Sequence, residues 1–336
     1  MIRPAADLDL AYRLLCAANL AYGVTEATGR TGTLAMRPPI LSSLATIEAL
    51  SNILGLLPES IHAHQLTGRY GIDAYLYGET RELAILAFRG TLPMRLAGRL
   101  TQVLGDWLNN TQTDLIAGEP LGIKGQLHAG YAASLDHLWN APGGIAGLLS
   151  RMTQGVTQGR RLLVTGHSKG GALAQLAALR LAATGIPELT PAGVFTFGAP
   201  RAGNSIFAVT FDHTFSGKAW RFEYRDDLVP HLPPAEPLWL ILRETVSHLL
   251  TQTEEKPWST LTDRFANTPL DGYASAGQLQ FIDWDQRLRI GDTPEFSAER
   301  WKHLSHTLTT ALPDIYRDHL PMRGYGYMDF LEARRR

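Results

Sequence analysis

The 336-residue sequence holds a single cysteine, Cys16. An intramolecular disulfide is therefore excluded, and so is a metal site built on several thiolates. Long apolar runs are also missing: none approaches the ~18 residues that a bilayer-spanning helix needs. An excess of one charge is missing too, with 31 Lys and Arg against 32 Asp and Glu. A nucleic-acid-binding domain would show a basic excess clustered on one face. The short run Arg334-Arg335-Arg336 reads as a solvated tail. Near the N-terminus Arg3 is followed by Asp7 and Asp9 without an uninterrupted apolar stretch, so no secretory signal peptide is expected. The absence of disulfides fits a cytosolic chain without excluding export.

What is present is an ordinary globular composition, 45% hydrophobic and 19% charged. Internal repeats, low-complexity segments and a clean linker are lacking. The expectation is one domain over residues 1–336, with a core at about 60–330 and a helical segment, 1–59, packed on it. Leu8, Leu10, Leu14, Leu15, Ala18 and Tyr22 have helical spacing over 5–22. Glycines and prolines make 23–40 a loop, and a second helix is expected over 41–55. Ile72–Tyr77 and Leu83–Phe88 flank Gly78-Glu79-Thr80 as a hairpin. Helices are expected over 129–138 and within 144–158. Strands at 161–165, 193–197 and 220–224 and a helix at 172–183 alternate as in a largely parallel sheet, whose buried strands are nearly continuously apolar. Beyond 235, Leu238–Leu250 reads as a helix, Gln278–Ile290 as a hairpin and 297–310 as a helix.

The strand at 161–165 runs into Gly166-His167-Ser168-Lys169-Gly170. A serine at a sharp strand-to-helix turn has a strained backbone that projects its Oγ above the sheet. Side chains in place of Gly166 and Gly170 would crowd that turn. The helix that follows aims backbone N–H groups and positive dipole at the point where negative charge develops. Ser168 is thus the candidate nucleophile. Acyl transfer also needs two N–H donors for the oxyanion. Lys169, the next residue, is one candidate. The other would come from the loop after an earlier strand, and Arg89-Gly90-Thr91 follows Leu83–Phe88. On its own that tripeptide reads better as an ordinary turn.

Five motifs then stand in order: Ala87-Phe88-Arg89-Gly90-Thr91, His128-Ala129-Gly130-Tyr131, Thr165-Gly166-His167-Ser168-Lys169-Gly170-Gly171, Phe195-Thr196-Phe197-Gly198-Ala199-Pro200-Arg201-Ala202-Gly203-Asn204 and Asp227-Leu228-Val229-Pro230-His231-Leu232-Pro233. Over about residues 70–330 the chain resembles the class 3, fungal-lipase-like family of α/β-hydrolases. The resemblance implies an α/β-hydrolase fold, a central mostly parallel sheet flanked by helices, and ester hydrolysis of lipids. It also implies Thr91 and Lys169 as oxyanion donors. The family often has Leu where this chain has Lys169. The segment from Thr91 to Asp106-Trp107 looks longer than is common, and the first 60 residues match loosely.

The acid should follow a strand beyond the nucleophile. Arg225-Asp226-Asp227 qualifies. The family pattern, with the acid two residues before Val-Pro, selects Asp227; Asp226 is the alternative, otherwise a solvated loop charge. The base should come later. His231 shares the acid's loop, and His248 lies in an expected helix. His303 and His306 share a helical face without an evident third metal ligand. His319 follows Asp318 in a stretch bounded by Pro313 and Pro321, read as loop. By resemblance, the catalytic histidine stands in Asp-His with a downstream tyrosine, which Tyr325 or Tyr327 would supply. His319 is the first choice and His303 the second.

The chemistry would then be a Ser168–His319–Asp227 triad working through an acyl-enzyme, with no cofactor or metal required. Leu92, Met94, Leu96, Leu100 and Leu104, interleaved with Arg95 and Arg99, stand where the family carries its lid. Residues 92–105 are a candidate amphipathic lid that would touch a lipid–water interface, and 235–270 a second candidate insertion. A core-facing helix would show the same pattern. The leading expectation is a triacylglycerol lipase. Phospholipase A1, short-chain esterase, acyltransferase and non-catalytic binding protein are the alternatives.

Overall fold

Leu83-Ala84-Ile85-Leu86-Ala87-Phe88 is apolar throughout, and all six residues are buried. In a strand, successive side chains point to opposite faces. Ala84, Leu86 and Phe88 accordingly join one core cluster, and Leu83, Ile85 and Ala87 the other. A strand apolar on both sides must be sandwiched, and that requirement organises the molecule. The structure, a computed structural model, describes residues 5–25, 33–34, 52–68, 71–91, 114–233 and 272–335.

The strands are β1 (Val24–Thr25), β2 (Thr33–Leu34), β3 (His62–Gly68), β4 (Gly71–Glu79), β5 (Leu83–Phe88), β6 (Leu115–Ala117), β7 (Gln126–His128), β8 (Arg161–His167), β9 (Gly193–Phe197), β10 (Gly203–Asn204), β11 (Ala219–Tyr224), β12 (Tyr273–Ala274), β13 (Gln278–Ile282) and β14 (Leu288–Ile290). The helices are α1 (Leu8–Ala21), α2 (Ala129–Asn140), α3 (Leu149–Thr157), α4 (Lys169–Ala182), α5 (Ser205–Thr214), α6 (Pro294–Thr310), α7 (Leu312–His319) and α8 (Gly326–Glu332). Among the described residues the main sheet has eight strands in the order β14-β13-β11-β9-β8-β5-β4-β3. Strands β13, β11, β9, β8 and β5 are parallel, and the edges are antiparallel. A smaller four-stranded sheet, β12-β10-β7-β6, lies apart from it.

One face of the main sheet packs on α2, α4 and α5; the other packs on α1 and α8. Helix α1 is built from the N-terminal pattern noted above. Asp7 caps it, its side chain accepting from the backbone N–H groups of Asp9 and Leu10. Its face from Ala11 to Ala21 is buried across β8 and β5, with Leu14, Leu15 and Cys16 fully covered. Segment 5–25 is therefore core.

Some boundaries depart from the sequence expectations. The 23–40 loop contains the short pair β1–β2. Strand β4 runs through Glu79, which moves the hairpin turn to Thr80-Arg81-Glu82. Strand β3 and helix α5 were not expected. The central helix starts at Lys169, and His319 ends a helix where loop was expected. Two of the C-terminal arginines make packing contacts: Arg334 lies over the Phe330 ring at 3.8 Å, and the exposed Arg335 lies over the Tyr12 ring at 4.6 Å; Arg336 is outside the described residues. Of the helix expected over 41–55, residues 52–54 are helical and 41–51 lie outside the described residues, as do the expected helix Leu238–Leu250 with His248, the 92–105 segment with Leu92, Met94, Leu96, Leu100 and Leu104, and the 235–270 insertion. No helix among the described residues is long and apolar enough to cross a membrane.

Because Leu15 is wholly enclosed between α1 and the sheet, Leu15→Ala removes packed atoms that its neighbours replace only in part. It should lower unfolding free energy by about 2–5 kcal/mol, read from urea denaturation. A loss within error of zero would mean that α1 is dispensable to the core.

Candidate active site

Strand β8 delivers His167 to the end of the sheet, and α4 begins at Lys169. Ser168 makes the turn alone, with φ 57° and ψ −136°. Positive φ is costly for a residue with a Cβ and persists where surroundings enforce it. Here the Ser168 N–H donates to the Phe197 carbonyl at 3.0 Å, and the Ser168 carbonyl accepts from Gly171 at 2.8 Å. The turn is also tight. A Cβ on Gly166 would stand 2.1 Å from the Gly170 carbonyl oxygen, and one on Gly170 would stand 2.2 Å from that of Phe88. Only glycine permits either approach.

Asp227 lies just past β11 and is buried. Its carboxylate faces the His319 Nδ1 at 3.0 Å from Oδ1 and 2.9 Å from Oδ2. The Tyr327 hydroxyl donates to Oδ2 at 2.6 Å, and the Val229 N–H donates to Oδ1 at 2.9 Å. A carboxylate only accepts, so the His319 Nδ1 carries a proton and donates it to Asp227. Tyr327 in turn accepts the Tyr224 N–H at 3.1 Å, and burial raises its pKa well above the ordinary value. Of the two candidate tyrosines, Tyr327 is the one bound to Asp227. Gly198, with φ 53°, fits beneath this pair. A Cβ there would stand 2.7 Å from Asp227 Oδ2 and 3.0 Å from His319 Nδ1.

His319 and the serine turn meet through His167, whose ring centroid is 4.6 Å from that of His319. His167 Nε2 lies 2.8 Å from the His319 carbonyl oxygen, and its Nδ1 lies 2.9 Å from the Tyr22 hydroxyl. Burial, followed by the neighbouring His319, pushes the His167 pKa well down, so the ring is neutral. A carbonyl only accepts, so Nε2 donates and Nδ1 accepts from Tyr22. Tyr22 directly follows α1, and Asn19 of that helix donates to the Pro321 carbonyl at 2.9 Å. Neither residue was singled out for a role in the sequence; only the position of Tyr22 at the end of an amphipathic helix was visible, whereas Tyr327 was one of the two tyrosines expected downstream of His319.

The alternatives separate from this group. Asp226 is not a solvated loop charge: it is buried, and its Oδ2 accepts from Trp284 Nε1 at 3.2 Å and Thr307 Oγ1 at 2.8 Å. His303 stacks on that same Trp284 at 3.7 Å. His231 is half-buried and packs at a tilt against Trp301, and desolvation there lowers its pKa far below the ordinary value. Thr91 ends a described segment and is exposed. Lys169 has an explanation that the sequence did not offer: its ammonium meets Asp73 Oδ1 at 2.7 Å. No group of His, Cys, Asp and Glu that would hold a metal ion occurs among the described residues.

Asp318 accepts the Asp226 N–H at 3.2 Å, so the neighbours of His319 and Asp227 are also joined. Burial, aided by the charges of Asp226 and Asp227, pushes the Asp318 carboxyl up to about 7; the Asp226 N–H and Arg225 oppose it. The folded pKa exceeds the unfolded value of about 4, so folding favours the protonated acid. Its contribution is most favourable below pH ~4 and is lost as pH rises through ~7. Asp318→Asn keeps an acceptor without a charge. It should stabilise the protein at pH 8 by about 1–3 kcal/mol more than at pH 4, seen as a widening Tm difference. A gain independent of pH would contradict this assignment.

Comparison with known proteins agrees with the geometry. The class 3 lipase family model matches residues 85–236. A secreted mono- and diacylglycerol lipase of Fusarium solani is 31% identical over 170 residues, 49% of this chain and 44% of that protein. A lipase of Rhizopus niveus is 31% identical over 162 residues, 47% of this chain and 37% of that protein. The matched region thus spans less than half the length of these relatives. Among solved structures, a mutant form of MDLA from Penicillium cyclopium superposes with a TM-score of 0.56 at 17% identity, covering 98% of this chain and 99% of that one. At that identity the likeness speaks to fold, which is the α/β-hydrolase fold. Residues 85–236 thus match the class 3 lipase family, and over that stretch the chain is similar to its members.

Proposed function

We propose that the chain is a serine carboxylic ester hydrolase acting on lipid esters, with triacylglycerols as substrates. The observation that carries this reading is the placement of Ser168, in its strained turn, next to a His–Asp pair. His167, the residue before the serine, packs at a tilt with its ring centroid 4.6 Å from that of His319, whose Nδ1 is bound to Asp227. In this reading Ser168 Oγ attacks the ester carbonyl carbon while His319 Nε2 takes its proton. Asp227 stabilises the imidazolium formed. The carbonyl oxygen becomes an oxyanion facing the N–H groups of Lys169 and Thr91, the first at the N-terminus of α4. The protonated His319 then donates to the leaving alkoxide. Water, activated by the same histidine, releases the acid from Ser168.

The acylglycerol substrate is supported by the family match and by the Fusarium solani relative, itself named for mono- and diacylglycerols. The reading includes a transient contact with a lipid–water interface through residues 92–105.

A fluorophosphonate should label the folded protein once, at Ser168, and Ser168→Ala should abolish labelling. Asp227→Asn should lower kcat by about 10³–10⁴-fold. His319→Ala should do so comparably, whereas His303→Ala should keep kcat within about twofold, since only removal of the base strips the triad. Absence of labelling would refute the enzyme. Emulsified triacylglycerol should be cleaved faster than phosphatidylcholine. The reverse order would replace triacylglycerol lipase by phospholipase A1, and cleavage of dissolved short esters alone would leave an esterase.

A further inference from the structure

In the mechanism above Lys169 acts through its backbone, yet its side chain is committed as well. The Lys169–Asp73 pair, 2.7 Å apart, is almost out of water, with side chains 12% and 2% exposed. Such a pair is a poor source of stability, because desolvating two charges offsets most of their attraction. Removing one partner, by contrast, leaves a bare charge in the interior. The pair therefore makes one arrangement of its two backbones strongly preferred.

Those backbones bracket the oxyanion loop. Asp73 lies on β4 beside Ala74, whose carbonyl accepts the Arg89 N–H at 3.0 Å. Arg89-Gly90-Thr91 leaves β5 at this point. On the other side the loop is pressed against the serine turn: a Cβ on Gly90 would stand 2.6 Å from the His167 carbonyl oxygen and 3.0 Å from Ser168 Cβ. Burial pushes the Arg89 pKa down, and Tyr22 and then Asp73 oppose it. The Asp73 carboxylate thus meets the ammonium of Lys169, which carries one donor, and acts electrostatically on Arg89, which begins the segment ending in the other. Arg89 is itself held by Gln65 of β3, Nη1 to Oε1 at 3.0 Å.

From this arrangement we infer that Asp73 and the Lys169 side chain are positioning residues that set the separation of the two oxyanion donors, the N–H groups of Lys169 and Thr91. The inference rests on the proposed hydrolase reading. An oxyanion forms only during reaction, so misplaced donors lower kcat and leave ester binding largely intact. A merely structural pair would move stability without this split.

The test compares parent, K169M, D73N, K169R and the double variant K169M/D73N on p-nitrophenyl butyrate, with a trifluoromethyl ketone that adds reversibly to a serine as a mimic of the oxyanion. K169M and D73N should each lower kcat by about tenfold or more with KM within about twofold, and weaken the ketone by the same factor. K169R, which keeps the cation, should recover most of that loss. The double variant has no bare buried charge, so it remains informative should the single variants fail to fold. It should stay about tenfold down in both kcat and ketone affinity. Parent-like kcat and ketone affinity in the double variant would overturn the inference. Failure of the parent itself to react with fluorophosphonate at Ser168 would instead overturn the hydrolase reading, so the two failures are distinguishable.

Discussion

The structure of this site depends on one strained residue. Ser168 holds a backbone conformation that costs on the order of 1–3 kcal/mol for a residue with a side chain. Nothing local supplies that energy. It is supplied by the sandwich around it: β8 is enclosed by β5 and β9, and α4 is buried along most of its length. Once those elements are packed, the chain between His167 and Lys169 has one route. The bond from Ser168 to the Phe197 carbonyl fixes that route to β9, whose continuation brings Gly198 beneath Asp227 and His319. Strain at Ser168 and the placement of Asp227 are thereby consequences of the same packing.

The polar groups around the serine are arranged with little freedom. Each hydrogen bond has a forced direction, because carbonyls and carboxylates accept and backbone N–H groups donate. Tyr22 to His167 to the His319 carbonyl is one such chain; Val229 and Tyr327 onto Asp227 is another. Buried networks of this kind are favourable when every member is satisfied. They also explain why the N-terminal helix, which resembles the family least, is integral to the site. It carries Leu15 into the core, and Asn19 and Tyr22 to the segments on either side of the serine.

Much of this was legible in the sequence, and what was hidden has physical causes. Apolar strands flanked by turns located β5, β8 and β9, since burial on both faces leaves an unambiguous pattern; β11 instead alternates Trp220, Phe222 and Tyr224 with Arg221 and Glu223. Strand β3 was invisible because an edge strand such as His62–Gly68 has no such constraint. His319 was expected in a loop because prolines bound its segment, but Pro313 falls in the first turn of α7, where a missing N–H costs nothing. Tyr327 and Tyr325 were indistinguishable by spacing; a helix start at Gly326 separates them. Lys169 was unexplained because its partner, Asp73, is nearly a hundred residues away on another strand. Long-range pairing leaves no local signature.

The choice between the two adjacent aspartates shows how a one-residue step decides chemistry. Asp226 and Asp227 are both buried, so exposure does not distinguish them. Their side chains serve different partners. Asp226 accepts from Trp284 and Thr307, on the side where α6 packs. Asp227 accepts from His319, Tyr327 and its own loop. Trp284 is also the surface on which His303 stacks, so that histidine belongs with Asp226. The sequence left an alternative acid and an alternative base, and they fall together on the same side. A triad drawn from Asp226 and His303 would face an indole; one drawn from Asp227 and His319 adjoins the ring that precedes Ser168. The two alternatives therefore stand or fall together, and Trp284, which donates to Asp226 and stacks with His303, gives this pair a structural occupation of its own.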